Sequence, residues 1–317
     1  MTSRREEALW PGNRGGRWDV VGLGEISLDS VGVFSGAARI PGKRDLASLE
    51  RQPGGTIATA VLGCQRLGLS SALLGAVGAD AEADAALRPL AEAGVDLSGV
   101  VTVESAATRT AFITVEPDSG DRMVHARRSP ALNLDPGRLD PGTIREARTL
   151  LIDGSDPEAA TWAADLARAE QVPVVLDADT AWADCERLLS RVDFPIVSES
   201  LARHRGGSPN VLDGLERLVK EGARLAVATR GEAGCVAFST SGSLTISAYP
   251  CRALDTTGAG DAFRAGFVWG LLAGRGIREV LQAGSAAGAL NCRRLGAQDG
   301  LPTRPELEAL LASPGPS

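Results

Sequence analysis

The string Asp255-Thr-Thr-Gly258-Ala259-Gly260-Asp261 places two carboxylates around three small residues, just ahead of an apolar run that begins at Ala262-Phe263. Glycines at such a point let the backbone come close to a ligand and turn its N–H groups towards it. A helix start adds unpaired N–H donors and about half a unit of positive charge. The backbone of Gly258, Ala259 and Gly260 is therefore a candidate cradle for an anion. Asp261 falls in the first turn, beside that anion, where a carboxylate can take the proton from a hydroxyl that attacks a phosphoryl group. Asp is also a favoured helix cap, so an isolated Asp-x-x-Gly says little; the whole string is far more specific.

A cradle of this kind needs a rigid frame. Residues 18–24, 72–77, 150–153, 172–177, 194–197 and 225–229 are short apolar runs of strand length. Helical patterns separate them at 55–67, 81–93, 157–170, 185–191 and 211–221, and two more, 258–273 and 277–292, follow the cradle. The alternation predicts an α/β fold, a three-layer α/β/α sandwich with a mostly parallel central sheet. Segments at about 30–51 and 101–127 break the rhythm and carry β-prone alternation such as Thr110-Ala-Phe-Ile-Thr-Val115. They are expected to pair as a small β-sheet lid that keeps water from a reactive phosphoryl group. Residues 1–17 and 313–317 read as disordered tails, which leaves 18–312 as the domain.

Composition narrows the chemistry. The 317 residues are 44% hydrophobic and 23% charged, enough for the buried core of one large α/β domain. A net charge of −7 argues against a nucleic-acid surface, although local dipoles can still hold phosphate. Only His125 and His204 are available for a hydrolytic triad or a multi-histidine metal centre, so both are poorly supported. Five scattered cysteines without zinc spacing read as buried free thiols in a cytoplasmic protein. No apolar run reaches the roughly 18 residues of a membrane span, and residues 1–17 lack the apolar centre of a signal peptide. Gly22-Leu-Gly24-Glu25-Ile-Ser27 imitates a dinucleotide fingerprint, but Ser27 replaces the third glycine and no helix pattern follows, so an NAD site is weakly supported.

The cradle string resembles the C-terminal signature, Asp-Thr-x-Gly-Ala-Gly-Asp, of the ribokinase-like or PfkB carbohydrate kinase family, and the resemblance extends over nearly all of residues 19–311. It implies that Gly258, Ala259, Gly260 and Asp261 form the anion hole for the transferring phosphoryl group, with Asp261 as catalytic base. It also implies a β-sheet lid from the two segments named above. Pro53-Gly54-Gly55-Thr-Ile-Ala-Thr59 is similar to the family's N-terminal signature, with Thr59 where an Asn is usual. By the same resemblance Asp29 holds sugar hydroxyls, a task for which a carboxylate's two oxygens suit it, and Gly54, Gly55 and Thr59 lie at the substrate. Thr229-Arg-Gly231-Glu-Ala-Gly234 resembles the nucleotide loop, which assigns Thr229, Gly231 and Gly234 to ATP, and Ser285 falls where the family has an adenine-pocket residue. Asp255, Thr257, Asn291, Arg294, Gly296 and Gly300 would surround a monovalent cation such as K+, mostly through carbonyls. The family's Asn-x-x-Glu is absent: Ser198 and Leu201 stand in its places, which leaves Glu199 to act on Mg2+ through bound water.

Arg109 and the pair Arg127-Arg128 lie near the lid segments. They are either ordinary surface arginines or forks for a carboxylate or phosphate on the substrate. Relatives that act on phosphofructose or 2-keto-3-deoxygluconate use arginines from such segments. The expected activity is ATP-dependent phosphorylation of a primary alcohol of a sugar, sugar acid or related polyol. A nucleoside kinase on the same fold would want an aromatic wall, and only 4% of the chain is aromatic. A catalytically weak sugar- or nucleotide-binding regulator is the other alternative, raised by the missing Asn-x-x-Glu. Exposed lid edges predict a homodimer, with neither nucleic acid nor membrane as partner.

Overall fold

The computed structural model describes residues 15–34, 45–116, 122–180 and 185–313. Most of the two expected tails, and parts of both lid segments, lie outside these residues. β1 (Trp18–Leu23) is apolar because both its faces are buried, Val20 towards one helical layer and Val21 and Leu23 towards the other. The chain then leaves the main sheet for an antiparallel pair, β2 (Ser27–Phe34) and β3 (Leu46–Gly54). It returns through α1 (Thr56–Arg66), β4 (Ser71–Gly78), α2 (Ala81–Glu92) and β5 (Asp96–Val103). Asp80 caps α2 by accepting from the Ala83 amide at 2.9 Å. A second excursion, β6 (Arg109–Val115) and β7 (Arg122–Arg127), completes the small sheet.

The next stretch is regular. α3 (Pro141–Arg145) leads to β8 (Ala147–Asp153), α4 (Pro157–Ala169), β9 (Val174–Ala178), α5 (Cys185–Leu189) and β10 (Phe194–Ser198). α6 (Glu199–Gly206) and α7 (Val211–Lys220) precede β11 (Ala226–Thr229) and the hairpin β12 (Cys235–Ser239)–β13 (Gly242–Ile246). α8 (Ala259–Leu272), α9 (Ile277–Asn291) and α10 (Arg304–Ala312) close the fold.

The main sheet runs β13-β12-β11-β10-β9-β8-β1-β4-β5, parallel from β11 to β5 and antiparallel through the β12–β13 hairpin. One core packs α1, α2, α8, α9 and α10 on one face; a second packs α3 to α7 on the other. This is the expected three-layer α/β sandwich. The Phe194 and Phe267 rings meet edge-on at 5.9 Å and tie β10 to α8. Strand order reverses at β1, with β4 on one side and β8 on the other. In parallel sheets, ligands bind beyond the strand carboxyl ends at such a reversal.

The small sheet has the order β3-β2-β6-β7. Its second excursion starts later than the expected boundary of 101: Val101–Val103 belong to β5, because Leu97, Val100 and Val101 pack against the two main cores. α6 was not expected either; Glu-Ser-Leu-Ala-Arg-His-Arg-Gly has no apolar stripe, and the helix is held instead by Ser198, which accepts from the Leu201 amide, and by left-handed Gly207 at its end.

Candidate active site

The loop ahead of α8 takes the conformation that its residue types dictate. Gly258 adopts φ 75°, and a Cβ there would stand 2.4 Å from the Ala297 carbonyl oxygen, so glycine alone fits both the conformation and the space. α8 starts at the next residue. The Ala259 amide, expected as part of the cradle, is instead taken: it donates to the Thr256 carbonyl at 3.2 Å, while those of Gly258, Gly260 and Asp261 could meet an anion. Asp261 is half-buried. Burial pushes its carboxyl up to about 7; Arg264 pulls it down, Asp179 pushes it further, Arg122 pulls and Asp153 pushes. The lid reaches this loop directly: Arg122 of β7 donates to the Thr256 carbonyl and hydroxyl, both at 3.0 Å.

The reversal point at β1 carries a second group of charges. Asp153, at the end of β8, accepts from the Glu25 amide at 3.0 Å and from the Ser155 amide at 2.9 Å. Gly24 makes room for it, since a Cβ there would lie 2.5 Å from Asp153 Oδ2. Glu25 pairs with Arg109 Nε at 2.5 Å, and Arg128 pairs with Asp156 at 2.8 Å. Glu25, Arg109, Arg128, Ser155 and Asp156 line one cleft. Burial pushes the Glu25 carboxyl up to about 7, against the pull of Arg109 and with a further push from Asp153 and Asp29.

Asp29 sits on β2, only 7% exposed, and accepts from the Ala111 amide at 3.1 Å. A Cβ on Gly54 would stand 2.2 Å from Asp29 Oδ2, and one on Gly55 2.4 Å from the Glu25 carbonyl. Both glycines therefore admit protein groups, joining the lid base to the start of α1. Thr59 departs from its expected role. It is fully buried, and its hydroxyl accepts from Gln298 Nε2 at 3.3 Å, so it braces the C-terminal segment and is not offered to the cleft.

On the nucleotide side, Gly231 at φ 54° faces open space, as close approach of a ligand requires, whereas a Cβ on Gly234 would meet the Ile246 carbonyl at 2.0 Å. Gly234 is thus a packing glycine of the β12–β13 region. Thr229 bonds to the Val197 carbonyl at 3.4 Å, and Ser285 to the Ser247 carbonyl at 3.5 Å. Glu199 is bound by two cations, Arg203 at 2.9 Å and Arg230 at 3.2 Å. Asp255 is fully buried and accepts from the amides of Thr257 and Gly296, both at 2.8 Å. Thr257 Oγ1 and Asn291 Oδ1 are buried without a hydrogen-bond partner, while Arg294 is exposed and a Cβ on Gly300 would meet the Asn291 carbonyl at 2.1 Å. Among the described residues no group of three His, Cys, Asp or Glu side chains could hold a metal ion, and no helix is long and apolar enough to cross a membrane. Four of the free thiols are buried as expected; Cys251 is exposed.

Glu25, Asp153, Asp156, Arg122 and Arg264 were not among the expected site residues. A signal existed for the first two, each a carboxylate at the carboxyl end of an apolar strand. Arg264 was visible too, as the one charge within Ala262-Phe-Arg-Ala-Gly-Phe-Val268.

The chain is 28% identical over 320 residues to 5-dehydro-2-deoxygluconokinase of Listeria monocytogenes, covering 93% of this chain and 96% of the relative. A crystal structure of a candidate ribokinase from Agrobacterium tumefaciens superposes with a TM-score of 0.86 at 27% identity, over 94% of this chain and 98% of the other. A candidate ribokinase II from Escherichia coli, in complex with ATP and Mg2+, superposes with a TM-score of 0.81 at 22% identity, over 93% and 99%. Residues 20–304 match the pfkB family of carbohydrate kinases, and the chain belongs to that family.

Proposed function

We propose that this kinase transfers the γ-phosphoryl group of ATP to a primary hydroxyl of a sugar acid. The observation that carries this reading is the cleft at β1: the guanidiniums of Arg109 and Arg128 beside the carboxylates of Glu25 and Asp156. Carboxylates accept sugar hydroxyls, and guanidiniums grip a substrate carboxylate. The similarity to a sugar-acid kinase supports it. In the transfer, the hydroxyl oxygen bonds to the γ-phosphorus as the bond to the ADP oxygen breaks, ADP leaves with the electron pair, and the hydroxyl proton passes to Asp261. The amides of Gly258, Gly260 and Asp261 offset the growing charge. Glu199 would hold Mg2+ through bound water, and the ion would supply charge neutralisation at the phosphates. The partnerless oxygens of Thr257 and Asn291 suit K+ beside Asp255. Exposed Leu49, Phe112, Met123 and Val124 on the lid support a second copy of the chain as its partner, and the buried free thiols support a cytoplasmic setting.

The ion pairs Arg109–Glu25 and Arg128–Asp156 favour a second reading, a neutral sugar, because each guanidinium already has a counter-charge. A coupled ADP-release assay over sugar acids and their neutral counterparts decides between them. Arg109→Ala is expected to raise KM for an acid substrate about tenfold or more, with a smaller loss in kcat. An equal effect on a neutral sugar would exclude the carboxylate contact.

The proton affinity of Asp261 sets a pH dependence. General-base catalysis needs the ionised carboxylate, so kcat/KM is expected to fall below about pH 7, where Asp261 binds its proton. Glu25 titrates in the same range. A Glu25→Gln variant that keeps the acid limb assigns it to Asp261; one that loses it assigns it to Glu25.

A further inference from the structure

We infer that Arg264 is a positioning residue of the transfer site, a buried guanidinium pinned between the end of β9 and the middle of β10 that fixes the main chain at Gly260 and balances the carboxylates gathered around Asp261. The inference rests on the reading of Asp261 as the base.

Three observations carry it. Arg264 is 1% exposed within α8, a helix otherwise apolar from Ala262 to Leu272. A buried charge persists in such a place only where it is paired, and the partners here come from the site edge of the sheet. Nη2 forms a close ion pair with Asp177, a second with Asp179 at 3.1 Å, and a hydrogen bond to the Ile196 carbonyl at 3.4 Å. Second, the guanidinium lies against the cradle: a Cβ on Gly260 would stand 2.3 Å from Arg264 Nη1. The glycine in the middle of Gly258-Ala-Gly260 is therefore explained by the arginine one turn later, which fills the space a side chain would need and limits movement of the Gly260 amide. Third, Arg264 follows Asp261 by three positions and shares its helix face.

The charges facing Asp261 are Arg264 on its own helix, Asp177 and Asp179 at the end of β9, Asp153 at the end of β8, and Arg122 from the lid. Asp177 and Asp179 compete with Asp261 for one guanidinium. Burial holds the Asp177 carboxyl well above the usual carboxylate range even with Arg264 beside it. Arg264 thus sets both where the phosphoryl cradle stands and how readily Asp261 gives up its proton.

Two variants must move the pH profile in opposite directions. Arg264→Gln removes the cation, so the acid limb of kcat/KM moves to higher pH, and kcat falls roughly 10²-fold as the cradle loosens. Asp179→Asn removes a competing carboxylate that is 63% exposed, so the chain folds and the limb moves to lower pH. Arg264→Lys keeps a charge without the fork, so it restores part of the limb but little of the kcat. An unmoved limb in Asp179→Asn, or full kcat in Arg264→Gln, overturns the inference. If Arg264→Gln does not fold, Asp179→Asn decides alone. If the native enzyme turns over no sugar, the proposed function fails; the carboxyl 13C shift of Asp261, titrated in native protein and in Asp179→Asn, still tests Arg264, with a lowered proton affinity expected in the variant and an equal one overturning it.

Discussion

Asp261→Asn is expected to lower kcat by roughly 10²–10⁴-fold, the usual worth of a positioned general base. Asparagine keeps the shape of the side chain at the first turn of α8 and removes only the ability to take a proton. It also removes a negative charge beside the cradle, so KM for ATP stays level or falls. Whatever activity survives should lose the acid limb near pH 7. Turnover within about tenfold of the native rate would remove Asp261 from the role of base.

The same substitution has a consequence for stability with a definite sign. The Asp261 carboxyl binds its proton more tightly in the folded chain, at about 7, than its ordinary value of 3.8. The folded state therefore holds more protons than the unfolded one between these values, and the native protein loses stability as pH rises through that window. Asparagine does not titrate. The Tm of Asp261→Asn relative to native should rise from pH 4 to pH 7 and then level off. A variant that is less active and, at neutral pH, more stable has given up a strained functional group. A variant that is less active and less stable at every pH has merely been damaged.

What could be read in the chain, and what could not, follows from how local the causes are. The Gly258-Ala-Gly260 turn into α8 and the apolar strands are legible because their causes lie within a few residues: a left-handed glycine, a helix start, a run buried on both faces. Asp29 and Gly54 were expected as ligands to a sugar, yet no sequence pattern says that Gly54 is small because the Asp29 carboxylate needs its space. That relation joins β2 to β3 and exists only once they pair. Thr59 was misplaced for the same reason; its partner, Gln298, is far along the chain. The lid boundary shifted because β-prone alternation reads the same in β5, which belongs to the main sheet, and in β6, which does not. Arg264 illustrates the opposite case. A lone charge in an apolar helix is conspicuous in the sequence, but only the fold supplies its partners, Asp177 and Asp179, from a strand end far back in the chain.

Gly258→Ala tests whether the cradle depends on backbone position as well as on the Asp261 carboxylate, and Gly207→Ala supplies its control. Both glycines are left-handed, at φ 75° and 60°. An alanine in that conformation costs of order 1–3 kcal/mol wherever it stands. At Gly207, the end of α6, an added Cβ meets nothing within 4 Å, so the backbone cost is the whole effect. Gly207→Ala should lose some Tm and keep native kcat. At Gly258 the added Cβ falls 2.4 Å from the Ala297 carbonyl oxygen and 2.7 Å from the Ala297 Cα, so main chain must yield. Either the start of α8 shifts away from the phosphoryl position, or the segment around Gly296, which donates to Asp255, is pushed out. Displacing anion-hole donors costs about 10²–10³ in kcat, and that loss is expected for Gly258→Ala on top of a larger fall in Tm. Equal activity in the two variants would mean that the amides at the start of α8 do not carry the developing charge, and the transfer site would have to be sought elsewhere along the strand ends.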